Sequence, residues 1–218
     1  MLMASYASRT GTRRNLDALE AAGWRLLVSA RGVLRNEGFS YALDNGAWTA
    51  FQKGEPFDVR AFETALDTLG GGADWVVAPD IVGGGQQSLD LTCSWLDYLL
   101  GGARLVLVAV QDGLTPADVR PLLSDRVGLF LGGSTEWKLA TAVGWGKLAA
   151  EARCYYHVAR VNTRQRIFLC AEAGAHSFDG SSVTRFASTL PLLERSRQEA
   201  ASIGARHART CSVERWVR

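Results

Sequence analysis

Apolar and polar positions along this chain fall into two alternating textures. Short runs rich in β-branched and aliphatic residues recur at 2–6, 25–29, 41–44, 75–79, 104–110, 127–131, 155–159 and 176–179. Several are continuously apolar, notably Leu105-Val106-Leu107-Val108-Ala109-Val110. Such runs predict parallel strands buried on both faces. Between them lie stretches of helical period. Helices are expected over 14–22, 59–69, 89–100, 136–152 and 164–173, and Thr115-Pro116-Ala117-Asp118 reads as an N-cap followed by proline in the first turn. The interval 30–40 shows no helical period. Eight strands alternating with helices in 218 residues predict an α/β chain folded as a single-domain (β/α)8 TIM-type barrel. An open doubly wound sheet is the second choice. The last segment, 190–218, reads as a basic helical tail, with six Arg against three Glu from Glu194 onward.

In a barrel of this kind, functional groups follow the C-terminal ends of the strands. The distinctive polar residues stand at those positions. Asp44 ends the third run, Asp80 follows the fourth, and Gln111 and Asp112 follow the fifth. Gly132-Gly133 follow the sixth, Arg160 and Asn162 the seventh, and Asp179 ends the eighth. Asp44 and Asp179 are each followed within two residues by glycine, which lifts a carboxylate out of a strand into a turn. Two acids presented this way predict a shared active site. His157 and His176 sit in apolar segments and read as satisfied core residues.

Composition narrows the picture. A net charge of +2 is too small to argue for nucleic acid by itself, but Arg supplies 21 of the 24 basic residues, and Arg suits planar contacts to phosphate and guanine. Arg13 and Arg14 after the first strand, with Arg160 and Arg164 after the seventh, are candidates for holding a nucleic-acid backbone. The four cysteines lack CxxC spacing and read as reduced thiols. The N-terminal residues lack a secretion signal and no run of about 18 apolar residues occurs, so a cytoplasmic protein without a membrane partner is expected.

Six segments together give the chain a resemblance to the guanine transglycosylases, barrel enzymes that exchange guanine for a 7-deazaguanine. They are Leu-Asp-Asn-Gly-Ala-Trp at 43–48, Val-Ala-Pro-Asp at 77–80, Val-Gln-Asp-Gly at 110–113, Leu-Gly-Gly-Ser-Thr-Glu-Trp-Lys at 131–138, His-Val-Ala-Arg-Val-Asn at 157–162 and Ser-Phe-Asp-Gly at 177–180. The chain looks most like the phage and bacterial members that act on DNA. The tRNA enzymes carry a structural zinc on a Cys-x-Cys-x-x-Cys cluster and a later His, and only His207 and Cys211 lie in that region here. The resemblance therefore implies a DNA enzyme with no metal and no cofactor beyond its base substrate, of the preQ0 or preQ1 type. It also implies a role in evading restriction, in the host cytoplasm if phage-encoded, and a possible homodimer.

The implied chemistry assigns roles to the strand-end residues. Guanine leaves through an oxocarbenium-like transition state, and Asp179 would trap the sugar carbon as a covalent aspartyl-nucleotide. Asp44 would move protons. Asp80 would accept from the donor edge of guanine, Gln111 would donate to O6, and Gly132 and Gly133 would let backbone approach the base. Trp48 or Phe178 would stack on it. A tRNA transglycosylase, a nucleoside or sugar hydrolase, and a catalytically silent nucleic-acid-binding barrel remain as alternatives.

Overall fold

Every strand in this chain must bury two faces, and the structure shows how. The computed structural model describes residues 2–9, 12–186 and 188–208. Its strands are β1 (Ala4–Ser8), β2 (Arg25–Ser29), β3 (Tyr41–Asp44), β4 (Val76–Val77), β5 (Val106–Val110), β6 (Val127–Leu131), β7 (Tyr156–Val158) and β8 (Ser177–Gly180). Its helices are α1 (Arg13–Ala21), α2 (Ala47–Gln52), α3 (Val59–Leu69), α4 (Gln86–Gly102), α5 (Pro116–Val119), α6 (Thr135–Ala152), α7 (Arg164–Glu172), α8 (Ser182–Arg185) and α9 (Thr189–Ala208). All strands are parallel, and β8 pairs with β1, Tyr6 opposite Asp179. That last pairing closes the sheet into a (β/α)8 barrel and excludes the open doubly wound alternative.

Strand alternation sorts the core into two bodies. One set of strand residues, including Ala7, Leu26, Val28, Leu43, Val76, Val108, Leu129, Leu131, Val158 and Phe178, packs outward with the helices. The other, Tyr6, Ala42, Trp75, Val77, Leu105, Leu107, Ala109 and Tyr155, fills the barrel itself. Helix starts lie at the same end as the strand C-termini, and local chemistry fixes several of them. Asp58 accepts from Ala61 N at 3.0 Å to start α3, and Thr115 with Asp118 forms the capping box of α5. Interval 30–40 contains turns and no helix, as its lack of period predicts.

The chain's last helix fastens the barrel's first and last units. The Arg197 guanidinium is buried, donating to Met3 O at 3.0 Å and Ala22 O at 3.2 Å and pairing with Glu194 at 2.8 Å. Glu194 also accepts from Trp24 Nε1 at 2.8 Å. So this part of the expected basic tail is structural; residues 209–218 lie outside the described residues. Among the described residues no helix is long and apolar enough to cross a membrane.

Candidate active site

Because all eight strands run the same way, their C-terminal ends share one rim, and inward-facing positions near those ends converge above the barrel core. Ser177 and Asp179 both face inward on β8, as do Tyr155 and His157 around β7. His157 is fully buried, its ring stacked on Phe130 at 5.0 Å between centroids. Its Nε2 lies 3.0 Å from Asp179 Oδ1 and its Nδ1 2.7 Å from Ser177 Oγ. Burial pushes the imidazole below its ordinary range while the Asp179 carboxylate pulls the other way. A neutral ring therefore donates Nε2–H to Asp179. Asp179 Oδ1 also accepts from Arg160 N at 3.2 Å.

Two further carboxylates meet Asp179 at this rim. Burial raises Asp44 to about 6; the Ser29 hydroxyl lowers it, Asp80 and Asp179 raise it by repulsion, and the Gly46 amide at 3.2 Å lowers it. Burial likewise raises Asp80 to about 6 against the Asn45 amide, whose Nδ2 donates to Asp80 Oδ1 at 2.7 Å. Asn45 is itself buried and pinned, donating to Ala78 O at 2.7 Å and accepting from Ala47 N at 2.9 Å. Gly46 makes the turn between Asp44 and α2 with φ of 83°, and a side chain there would meet Arg31 Cγ at 2.8 Å. The local sequence Asp-Asn-Gly thus supplies an acid, a clamp for a second acid, and the turn that permits both.

The structure places the remaining sequence candidates as follows. Gln111 is buried below the rim, and its side chain holds the loop after β4. Nε2 donates to Ile81 O at 2.8 Å and Ser88 Oγ at 2.7 Å, and Oε1 accepts from Gly83 N at 2.6 Å. Gly132 N donates to Val110 O at 2.9 Å. Gly133 adopts φ of 74°, where a Cβ would strike Asp112 Oδ2 at 2.6 Å and the Trp137 ring at 2.8 Å. Trp48 stands on the rim, 40% exposed and stacked on Phe51. The Arg160 guanidinium lies over the Trp48 ring and also donates to Gly133 O. Phe178 turns away from the rim to pack edge-on against Trp24 in the outer core. Arg13 pairs with Asp17 at 2.8 Å on exposed α1, beside exposed Arg14. Arg164 pairs with Glu199 at 3.0 Å and covers Phe168.

Sequence reading gives no specific role to several groups that shape this site. His157 reads as core, yet it holds Asp179. Period-2 alternation through Tyr155–His157 and Ser177–Asp179 carries the signal, since it turns all four inward on neighbouring strands. Lys138, in the first turns of α6, is buried and donates to Ala159 O at 2.5 Å. Burial and then Arg160 lower its ammonium to about 8, with Asp179 opposing. Asn162 Oδ1 accepts from both Ser181 N and Ser182 N at 2.9 Å, filling the amide cradle after β8.

No family model and no curated protein matches this chain. Solved structures that resemble it include the native KDPGal structure, at 10% identity and a TM-score of 0.52 over 93% of this chain and 97% of that one. RipC from Yersinia pestis is 14% identical with a TM-score of 0.53, over 88% of this chain and 94% of that one. The 3-hexulose-6-phosphate synthase from Salmonella typhimurium is 14% identical with a TM-score of 0.50, over 94% and 100% of the two chains. These likenesses establish the barrel fold.

The same comparisons overturn the expected kinship with guanine transglycosylases. The barrels this chain resembles carry other names, and no sequence family supports the resemblance. With it falls the reading as a DNA-guanine transglycosylase working through an aspartyl-nucleotide. The six short motifs have a physical origin in the barrel itself. Each is a strand end, where the chain leaves an apolar strand through polar or glycine residues, and every barrel must make such turns eight times.

Proposed function

We propose that this chain is a (β/α)8-barrel enzyme running general acid–base chemistry on an unphosphorylated, polar small molecule. Asp44 and Asp80 trade protons, and Asp179 is the carboxylate held in place against them. One observation carries the reading: carboxylates from β3, the β4 loop and β8 meet at the C-terminal rim, and burial lifts both Asp44 and Asp80 to about 6. Groups tuned toward neutral pH in a strand-end cleft are the usual mark of proton-transfer chemistry. Near pH 6 such a pair carries protons in part, so one member can donate while the other accepts. Three carboxylates also favour a substrate that is neutral or that gains positive charge as it reacts.

A phosphorylated sugar, as in the name of 3-hexulose-6-phosphate synthase, is the second reading. Barrels commonly seat phosphate on backbone amides after the seventh and eighth strands. Here Asn162 occupies the two amides of the β8 turn, which weighs against that reading.

The test is a screen of neutral polyols, amines and N-heterocycles beside their phosphate esters. Binding would be followed by thermal shift and turnover by NMR, with wild type, Asp44→Asn and Asp80→Asn. Turnover of an unphosphorylated compound, with a pH limb near 6 that Asp44→Asn removes, supports the reading. Preference for phosphate esters, or turnover untouched in both variants, rejects it.

A further inference from the structure

Helix α6 keeps an apolar surface on the side that faces water. An outer helix ordinarily buries one stripe against the core and shows charge on the other. On α6 the inner stripe is as expected, with Trp145, Leu148 and Ala149 buried in the outer core. The outer stripe is not. Leu139 is 43% and Val143 53% exposed, and Ala140 is exposed beside them. Between Glu136 and Lys147 the helix has one charged residue, Lys138, and that one is turned inward and buried. The neighbouring α5 has only four residues against eighteen in α6, so no long helix walls that flank.

Two charges bracket the apolar stretch. Glu136 precedes it and Lys147 follows it, both exposed, and among the described residues neither has an ion-pair partner. The other exposed acid of the helix, Glu151, is taken by Arg120. Glu136, Ala140, Val143 and Lys147 follow one another at spacings of four, three and four, which lays them along one seam. At about 1.5 Å per residue the two charges stand roughly 16 Å apart along the axis.

Such a seam is complementary to itself in one direction only. Laid parallel on a second α6, it sets Glu136 against Glu136 and Lys147 against Lys147. Laid antiparallel, with a two-fold axis between residues 141 and 142, it sets each Glu136 against Lys147 of the second copy and each Ala140 against Val143. Leu139 then flanks the apolar centre from both sides. A two-fold contact of this kind uses the same patch on both chains.

We propose that α6 is the contact of a homodimer, packed antiparallel on α6 of a second copy of this chain, with Leu139, Ala140 and Val143 at the centre and a Glu136–Lys147 pair at each end. Removing the apolar centre from water supplies the attraction, and the end charges set direction and register. One helix a side is a small contact beside the roughly 800 Å² per partner of a standard interface, so the dimer exchanges with monomer. Helix α6 starts at the mouth end of the barrel, so antiparallel packing turns the two mouths opposite ways and leaves both open. The contact is independent of the acid–base chemistry proposed for the rim.

The test is sedimentation velocity of the full chain over a concentration series, from about 10 μM to about 1 mM. Wild type should gain mass as concentration rises. Glu136→Lys and Lys147→Glu each place like charges at both ends of the seam, and each should weaken association on the order of tenfold or more. Mixed in equal amounts, these two variants should associate again, since every end then pairs an acid of one chain with a base of the other. The double variant with both changes in one chain should behave as wild type. All these positions are exposed, so the variants should keep the wild-type melting temperature, which circular dichroism checks. Val143→Arg should abolish association at every concentration. A wild type that stays monomeric throughout overturns the proposal. Association that then appears on deleting residues 209–218 would name the chain's own end as the cover of α6, and a monomer in both forms would leave the face to a different protein. A wild type that dimerises while the mixed variants do no better than either alone places the contact elsewhere, and overturns it equally.

Discussion

The Arg160 guanidinium carbon lies 4.6 Å from the centre of the Trp48 ring, although the two residues follow strands on opposite sides of the barrel. Trp48 belongs to α2 after β3, and Arg160 follows β7, four strands away. Arg160 also holds an uncommon left-handed backbone conformation, φ of 58°, and donates to Gly133 O from the β6 loop. One side chain thus ties three loops across the mouth. A cation over an exposed indole is worth about 0.5–1 kcal/mol, weak enough for a substrate to displace. Removing it should admit water to the carboxylates. Trp48→Ala is expected to lower the titration midpoint of Asp44 from about 6 toward the ordinary carboxylate range, because burial is the main cause of its elevation. Carboxyl 13C NMR reads this directly, and an unchanged midpoint would show that the indole does not shield the site.

Asp44 and Asp80 hold their protons more tightly folded than unfolded, 3.8 rising to about 6 in each case. The sign follows from linkage. The native state binds more protons than the unfolded state between about pH 4 and 6, so stability falls as pH rises through that window and stays lower above it. A neutral isostere escapes this loss. Asp44→Asn and Asp80→Asn are each expected to be more stable than wild type at pH 7.5, by about 1–2 kcal/mol, and to show no advantage at pH 4. Urea denaturation at the two pH values checks it. The gain should come with lost turnover, the usual trade at a functional site.

Gln111 illustrates a residue whose position is functional in appearance and whose bonds are architectural. Its amide satisfies Ile81 O, Ser88 Oγ and Gly83 N together, closing the glycine-rich loop that carries the backbone away from Asp80. Gln111→Ala removes this shared partner, leaving Ile81 O to Gly84 N and the buried Ser88 Oγ to Ile81 N. A cost of about 1–3 kcal/mol is expected, along with faster amide exchange in residues 81–88. Unchanged exchange there would mean that the loop is held by its own turns.

Much of the architecture was readable because apolar periodicity reports burial directly. The runs at 25–29, 41–44 and 127–131 coincide with β2, β3 and β6, and 59–69 coincides with α3. The fourth run shrinks to Val76–Val77, although its flanks still bond the neighbouring strands, Trp75 O accepting from Leu43 N at 3.0 Å and Ala78 N donating to Leu107 O at 2.9 Å. Helix α2 was not foreseen, because Asn-Gly signals a turn and hides the six helical residues after it. The approach of Asp44, Asp80 and Asp179 followed from strand ends alone. Partnerships such as Asn45 with Asp80 and His157 with Asp179 did not, because they depend on which strands are neighbours and in what register. The mistaken family came from the same source as the correct fold: strand-end turns identify a barrel and say little about which barrel.

Gly146 shows how tightly the sequence constrains the helix layer. It lies buried on α6, and a Cβ built there would fall 1.8 Å from Ala173 O, at the end of α7, and 3.2 Å from the Tyr156 ring. Helix propensity alone favours alanine here by roughly 1 kcal/mol. Overpacking against backbone opposes it, and a carbonyl cannot rotate aside as a side-chain tip can. Tyr156 has no room to yield either, since its hydroxyl is anchored to Ala142 O at 2.8 Å. The steric term should win. Gly146→Ala is expected to destabilise the protein by about 2 kcal/mol or more, measured by urea denaturation. Gly144, two residues earlier on the same helix, has nothing within 4 Å of its built Cβ. There the propensity term stands alone, so Gly144→Ala should stabilise by up to about 1 kcal/mol. Opposite signs from two identical substitutions on one helix would establish that α6 is set by its contact with α7; equal signs would show that the layer slides to make room.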